Sequence, residues 1–185
     1  MGTQKSSNFN CLKMSDSESN DEIPQLLPDN IVLRDWQKRV VNWAMSPREK
    51  DKPNGLWMNL PTGCGKTVVL RALFDLVGPN DAYILPICSN GSYDTRSMIP
   101  YKGQKLILID QVDGERNLNG KILWKRSLLE LLKRITEDSP MSVGKHTVYP
   151  KSKVLITSNF TRPRQDPDGT GCQFARRYLS IDDLS

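Results

Sequence analysis

The segment Asn59-Leu60-Pro61-Thr62-Gly63-Cys64-Gly65-Lys66-Thr67 holds the densest chemistry in the chain. Gly63 and Gly65 permit backbone conformations that turn successive N–H groups toward one point, a nest for an anion. A helix opening at this point adds the positive end of its dipole. Lys66 supplies a mobile charge for β- and γ-phosphates, and the Thr67 hydroxyl supplies one oxygen for Mg²⁺. Pro61, Thr62 and Cys64 complete the cradle, Cys64 as a small residue the loop tolerates. The implied ligand is a nucleotide polyphosphate with Mg²⁺. Leu60 stands where G-x-x-x-x-G-K-[ST] has its first glycine. A nest built from Gly63 to Thr67 does not need that glycine.

Four further groups can serve the same chemistry. Asp110 ends the apolar run Leu-Ile-Leu-Ile, 44 residues after Lys66. A buried strand would carry that carboxylate to the sheet edge beside phosphate and metal. Gln111 follows, where many ATPases of this kind place a second acid. An amide cannot accept a proton, and general-base help is typically worth ~10²–10⁴ in rate. Asp113 or Glu115 could substitute, Gln111 could only orient water, or the chain could hold ATP and hydrolyse it slowly. Asn159 ends Lys153-Val-Leu-Ile-Thr-Ser and either starts a turn or faces a γ-phosphate or lytic water. Arg176 and Arg177 either line an ion-pairing surface or offer an arginine finger to a neighbouring subunit. A finger is worth ~10³–10⁵ in turnover. Between these motifs, Met141 to Pro150 reads as a hairpin with Lys145 and His146 near its tip, placed to follow a nucleic-acid backbone. His146 is the only histidine, which excludes a two-histidine metal site.

Strands alternating with helices must position these groups. Leu33, Trp36, Val40, Trp43 and Ala44 recur at helical spacing, with Asp29 or Asn30 as cap and Pro47 past the end. Strands are expected at Leu56–Leu60, Ala82–Ile87, Leu106–Ile109 and Val154–Thr157, and helices at Thr67–Val77 and Leu123–Ile135. The two tryptophans read as core anchors. The pattern predicts an α/β architecture around a mostly parallel sheet. Residues 1–30 read as a flexible acidic leader or linker, and residues 31–185 as the domain.

Composition bounds the rest. The 185 residues carry 26 basic and 21 acidic side chains. The leader holds two of the former and five of the latter, leaving +8 on residues 31–185. A basic body suits a polyanionic partner. Cys11, Cys64, Cys88 and Cys172 form no CxxC pair, so neither a disulfide scaffold nor a zinc site is expected. No apolar run approaches the ~20 residues needed to cross a bilayer. No secretory signal is evident, and an intracellular location is expected.

The order of PTGCGKT (61–67), LILIDQ (106–111), VGKHTV (143–148), KVLITSN (153–159) and FARRYLSI (174–181) resembles the superfamily 3 helicases, the compact AAA+ branch of small viral genomes. The nearest likeness is the helicase half of replication-initiator (Rep) proteins of circular single-stranded DNA viruses, such as circoviruses. It covers roughly residues 31–181 and includes Trp36-Gln37. The resemblance implies a three-layer P-loop NTPase of AAA+ type with a β-hairpin insertion. It implies ATP–Mg²⁺ on Lys66 and Thr67, metal at Asp110, a sensor at Asn159, DNA contact at Lys145 and a finger at Arg176 or Arg177. It further implies a homo-oligomeric ring, hexamer favoured, on single-stranded nucleic acid, DNA ahead of RNA, in a host nucleus. Rep proteins usually carry a His-x-His nicking site, which one histidine cannot supply, so the resemblance is to the helicase part alone. The competing expectations are an RNA-virus superfamily 3 helicase, a superfamily 2 helicase fragment, and an ATP-binding module with weak hydrolysis.

Overall fold

The computed structural model describes residues 32–86, 94–164 and 173–184. The acidic leader, the caps expected at Asp29 or Asn30, Ile87, and three of the four cysteines lie outside them. In chain order the elements are α1 (Asp35–Met45), β1 (Gly55–Asn59), α2 (Lys66–Val77), β2 (Ala82–Ile84), β3 (Leu106–Ile109), β4 (Glu115–Arg116), β5 (Ile122–Leu123), α3 (Arg126–Ile135), β6 (Met141–Val143), β7 (His146–Val148), β8 (Lys153–Ser158), α4 (Phe174–Arg177) and β9 (Tyr178–Ser180).

β1, β3 and β8 form the centre of a five-stranded sheet in the order β2-β3-β8-β1-β9, with every pairing parallel. The expected α/β class with a mostly parallel sheet is thus met. Their near-continuous apolar runs suit burial on both faces. Alternate residues sort to opposite sides, as strand geometry requires. Leu56, Met58, Leu108 and Leu155 pack with Val40 and Val41 of α1 and with Val69, Leu70 and Leu73 of α2. Trp57, Ile107, Ile109, Val154 and Ile156 pack with five apolar residues of α3 and with Met141, Val143 and Val148 of the β6–β7 hairpin. Helices therefore cover both faces. Trp36 and Trp43 border the first of these cores, half-buried.

Helix ends follow local chemistry. α1 starts at Asp35 with Arg34 as its N-cap, so neither Asp29 nor Asn30 caps it, and the Gln37 side chain accepts from the Arg34 backbone N–H at 2.8 Å. Its last turn is tied to the sheet by Lys153, which is buried and donates to the Trp43 and Ser46 carbonyls and to Ser46 Oγ. The same ammonium lies 4.9 Å from the centre of the Trp43 ring. Burial lowers its pKa to about 8, partly offset by Glu49. α2 closes where Gly78 donates to the Phe74 carbonyl at 2.8 Å.

Three expectations are corrected. The second strand ends at Ile84 rather than at 87, and Pro86, without an N–H, cannot extend its ladder. The helix expected from Leu123 begins at Arg126, because Ile122 and Leu123 pair antiparallel with Arg116 and Glu115. The turn between them is set by Asn117, whose side chain accepts from the N–H groups of Asn119 and Lys121, and by Gly120 at φ +74°. The fifth sheet strand, β9, was not expected. It lies against β1 with Tyr178 opposite Gly55.

Candidate nucleotide site

The loop after β1 leads into α2 at the edge of the sheet where the parallel strands end. Gly63 and Gly65 both take left-handed conformations, at φ +86° and +87°. Only glycine does so without steric cost. Among the described residues the only non-glycine with positive φ is Gln111, so Leu60 needs no glycine-like freedom. The Leu60 side chain packs on the α1–α2 core, while its carbonyl accepts from Lys66 Nζ. This accounts for the missing first glycine.

Lys66 Nζ also donates to the Pro61 carbonyl at 3.1 Å and to Asn159 Oδ1 at 3.0 Å. Thr62 Oγ1 donates to the same Asn159 oxygen at 3.4 Å. Asn159 follows β8, which lies between β1 and β3, and so stands between the loop and Asp110. Thr67 Oγ1 donates to Asp110 Oδ1 at 3.2 Å. Lys66, Thr67, Asp110 and Asn159 thus form one group of neighbours, drawn from segments up to 93 residues apart. Cys64 is half-buried and its backbone N–H turns toward the Pro61 carbonyl at 3.3 Å.

Thr157 is the residue the sequence reading missed. Its buried hydroxyl donates to Asp110 Oδ1 at 2.5 Å and accepts from the Gln111 backbone N–H at 2.8 Å. It thereby fixes both the carboxylate and the strained residue beside it. Gln111 holds φ +54°, a conformation that costs a non-glycine roughly 1–3 kcal/mol. Its side chain is exposed at the site's rim. Asp113 and Glu115, the possible substitutes for a second acid, are exposed, and Glu115 opens the β4–β5 hairpin.

The donor set suits a hard cation. Among the described residues no hydrogen bond ends on Asp110 Oδ2, and no cluster of three metal-ligating side chains occurs. One carboxylate with one hydroxyl fits Mg²⁺, which takes most of its oxygens from phosphate and water. A cleft of about 470 Å³ opens beside Leu60, bordered by Trp57, Asn59, Arg162, Ser180 and Asp182. Arg162 is anchored by donation to the Tyr178 carbonyl and lies 3.5 Å from Asp183. The Asp183 carboxyl is held below its ordinary range, mainly by the Ser180 backbone N–H.

The late arginines are not part of this cluster. They precede β9, whose Tyr178 pairs with Gly55 at the start of β1, whereas the loop leaves the other end of β1. Arg177 is half-buried, 3.0 Å from Glu137 and bonded to Gln173. Arg176 is exposed, and no side-chain bond is made by it among the described residues. Lys145 and His146 also stand apart. Both are exposed at the end of the β6–β7 hairpin: Lys145 follows Gly144, at φ +62°, in the two-residue connection, and His146 opens β7.

Thr157→Val should weaken Mg²⁺ binding at Asp110 about tenfold, while Thr157→Ser restores it. Loss of the part-buried Gln111 N–H bond should cost about 0.5–1.5 kcal/mol of stability. Identical Mg²⁺ dependence in the Val and Ser variants would remove Thr157 from the site. In comparisons with known proteins, no protein-family model matches this chain and no curated protein is significantly similar to it.

Proposed function

We propose that the chain is a P-loop ATPase of AAA+ type that couples ATP hydrolysis to movement on single-stranded nucleic acid, the superfamily 3 helicase reading of its motifs. One observation carries this: Lys66, Thr67, Asp110 and Asn159 converge at one sheet edge. Strand order supports it, because inserting β8 between β1 and β3 lets Asn159 reach Lys66 from the next strand.

On this reading the nest of Gly63 to Thr67 holds the phosphates by backbone N–H groups. Lys66 exchanges its carbonyl partners for the β- and γ-oxygens. Thr67 and Asp110 hold Mg²⁺, which when bound offsets the charge developing on the phosphates. Asn159 presents its side-chain amide to the γ-phosphate or the lytic water, and Gln111 orients that water. Phosphoryl transfer has a loose transition state that depends more on positioning and charge than on early proton removal. An amide at 111 therefore permits slow hydrolysis. Arg176 reaches a neighbour's ATP, which requires a head-to-tail ring, a hexamer on the viral Rep resemblance. Lys145 and His146 follow the strand, DNA ahead of RNA, and a host nucleus is the corresponding location. Among the described residues no helix is long and apolar enough to cross a membrane.

The test is phosphate release from ATP by the wild type beside Gln111→Glu. Slow, Mg²⁺-dependent release is expected from the wild type, rising tenfold or more when a carboxylate stands at 111. Background release with ATP still bound would leave an ATP-binding module. Strand displacement on DNA and RNA forks separates the two tracks.

A further inference from the structure

Apart from Glu115, the β4–β5 hairpin belongs to no motif considered above, yet it follows β3 by way of the loop that holds Asp110. Its tip residue, Leu118, is fully exposed between Asn117 and Asn119, and Leu123 at its base is half exposed. From residue 115 to residue 126 the chain has four cations, Arg116, Lys121, Lys125 and Arg126, against one carboxylate, Glu115 at the base of the hairpin. An apolar tip flanked by cations matches a strand of unpaired bases joined by phosphates. Leucine can wedge against a base while the cations meet the backbone.

Both strands of this hairpin are rooted on one residue beside the candidate sensor. The Arg116 guanidinium lies 5.6 Å over the Phe160 ring, next in sequence to Asn159. Just past β5, Trp124 meets Phe160 edge-on at 6.2 Å and Trp57 at 5.4 Å. Trp57 Nε1 donates to the Phe160 carbonyl at 2.9 Å, from the strand that leads into the phosphate loop. The packed rings thus form a contiguous path between the Asn159 segment and the hairpin.

We infer that the β4–β5 hairpin is a second single-stranded nucleic-acid contact, with Leu118 on a base and Lys121 on a phosphate, and that its grip depends on the nucleotide state. This rests on the proposed translocase function. Leu118→Trp places a reporter at the tip without touching the ATP site. An oligothymidylate should quench its emission, and more strongly with a slowly hydrolysed ATP analogue and Mg²⁺ than without. Leu118→Asp should weaken oligothymidylate binding about tenfold. Lys121→Gln should lower the slope of log affinity against log salt by about 0.7. Basal ATP hydrolysis should be unchanged in all three. An unquenched reporter on a protein that still binds oligothymidylate would overturn the inference and leave the translocase reading standing. Binding of no oligonucleotide by the wild type would end both. Loss of self-association in Leu118→Asp, with oligonucleotide affinity kept, would assign the tip to a second copy of the chain and refute the contact.

Discussion

Arg176→Ala is expected to lower ATP turnover about 10³-fold while leaving ATP affinity nearly unchanged, the low end of what a finger supplies. The geometry singles out Arg176 over its neighbour. Arg177 is already engaged by Glu137 and Gln173, whereas Arg176 is exposed. Position dictates the route. β1 runs five residues from Gly55, beside the arginines, to Asn59, where the loop begins. At ~3.3 Å per residue, β1 sets the Tyr178 end of the strand about 13 Å from the start of the loop. On the proposed ring, it serves a neighbouring subunit's nucleotide. Mixing Lys66→Ala subunits with Arg176→Ala subunits should therefore restore activity, since some interfaces pair an intact loop with an intact finger. Strictly additive loss in the mixture would mean that each chain acts alone. Arg177→Ala should instead reduce stability modestly, through its partly exposed ion pair.

Lys66→Ala is expected to reduce hydrolysis by about 10²–10³, the usual effect of removing one group that stabilises transition-state charge. The lysine meets two loop carbonyls and Asn159, so its ammonium is already near where a γ-phosphate would lie. Its removal should barely alter folding, because surface changes outside the core usually stay within about 0.5 kcal/mol. Thermal unfolding of the variant checks this directly. A large fall in melting temperature would make Lys66 a structural clamp on the loop.

The central sheet was readable because β1, β3 and β8 are apolar runs of strand length that alternate with helical patterns, which suits a parallel core buried on both faces. The loop was readable because glycines, lysine and threonine follow such a run. Other parts were hidden for physical reasons. Ile122 and Leu123 fit the helical spacing of the residues after them, and only Asn119-Gly120 marked a hairpin there. Tyr178 to Ser180 is three residues of mixed polarity at a sheet edge, with too little pattern to stand out. Thr157 looks like any strand threonine until β8 lies beside β3, when its hydroxyl falls between Asp110 and Gln111. The paired arginines differ only because Glu137, 40 residues earlier, comes to rest beside one of them.

Calorimetric titration with ATP, in the presence and absence of Mg²⁺, tests the shared site of Lys66 and Asp110 most directly. The wild type should bind one nucleotide per chain, more tightly with Mg²⁺, and Lys66→Ala should lose most of that affinity. Equal heats from wild type and Lys66→Ala, or no heat from either at millimolar ATP, would contradict the site.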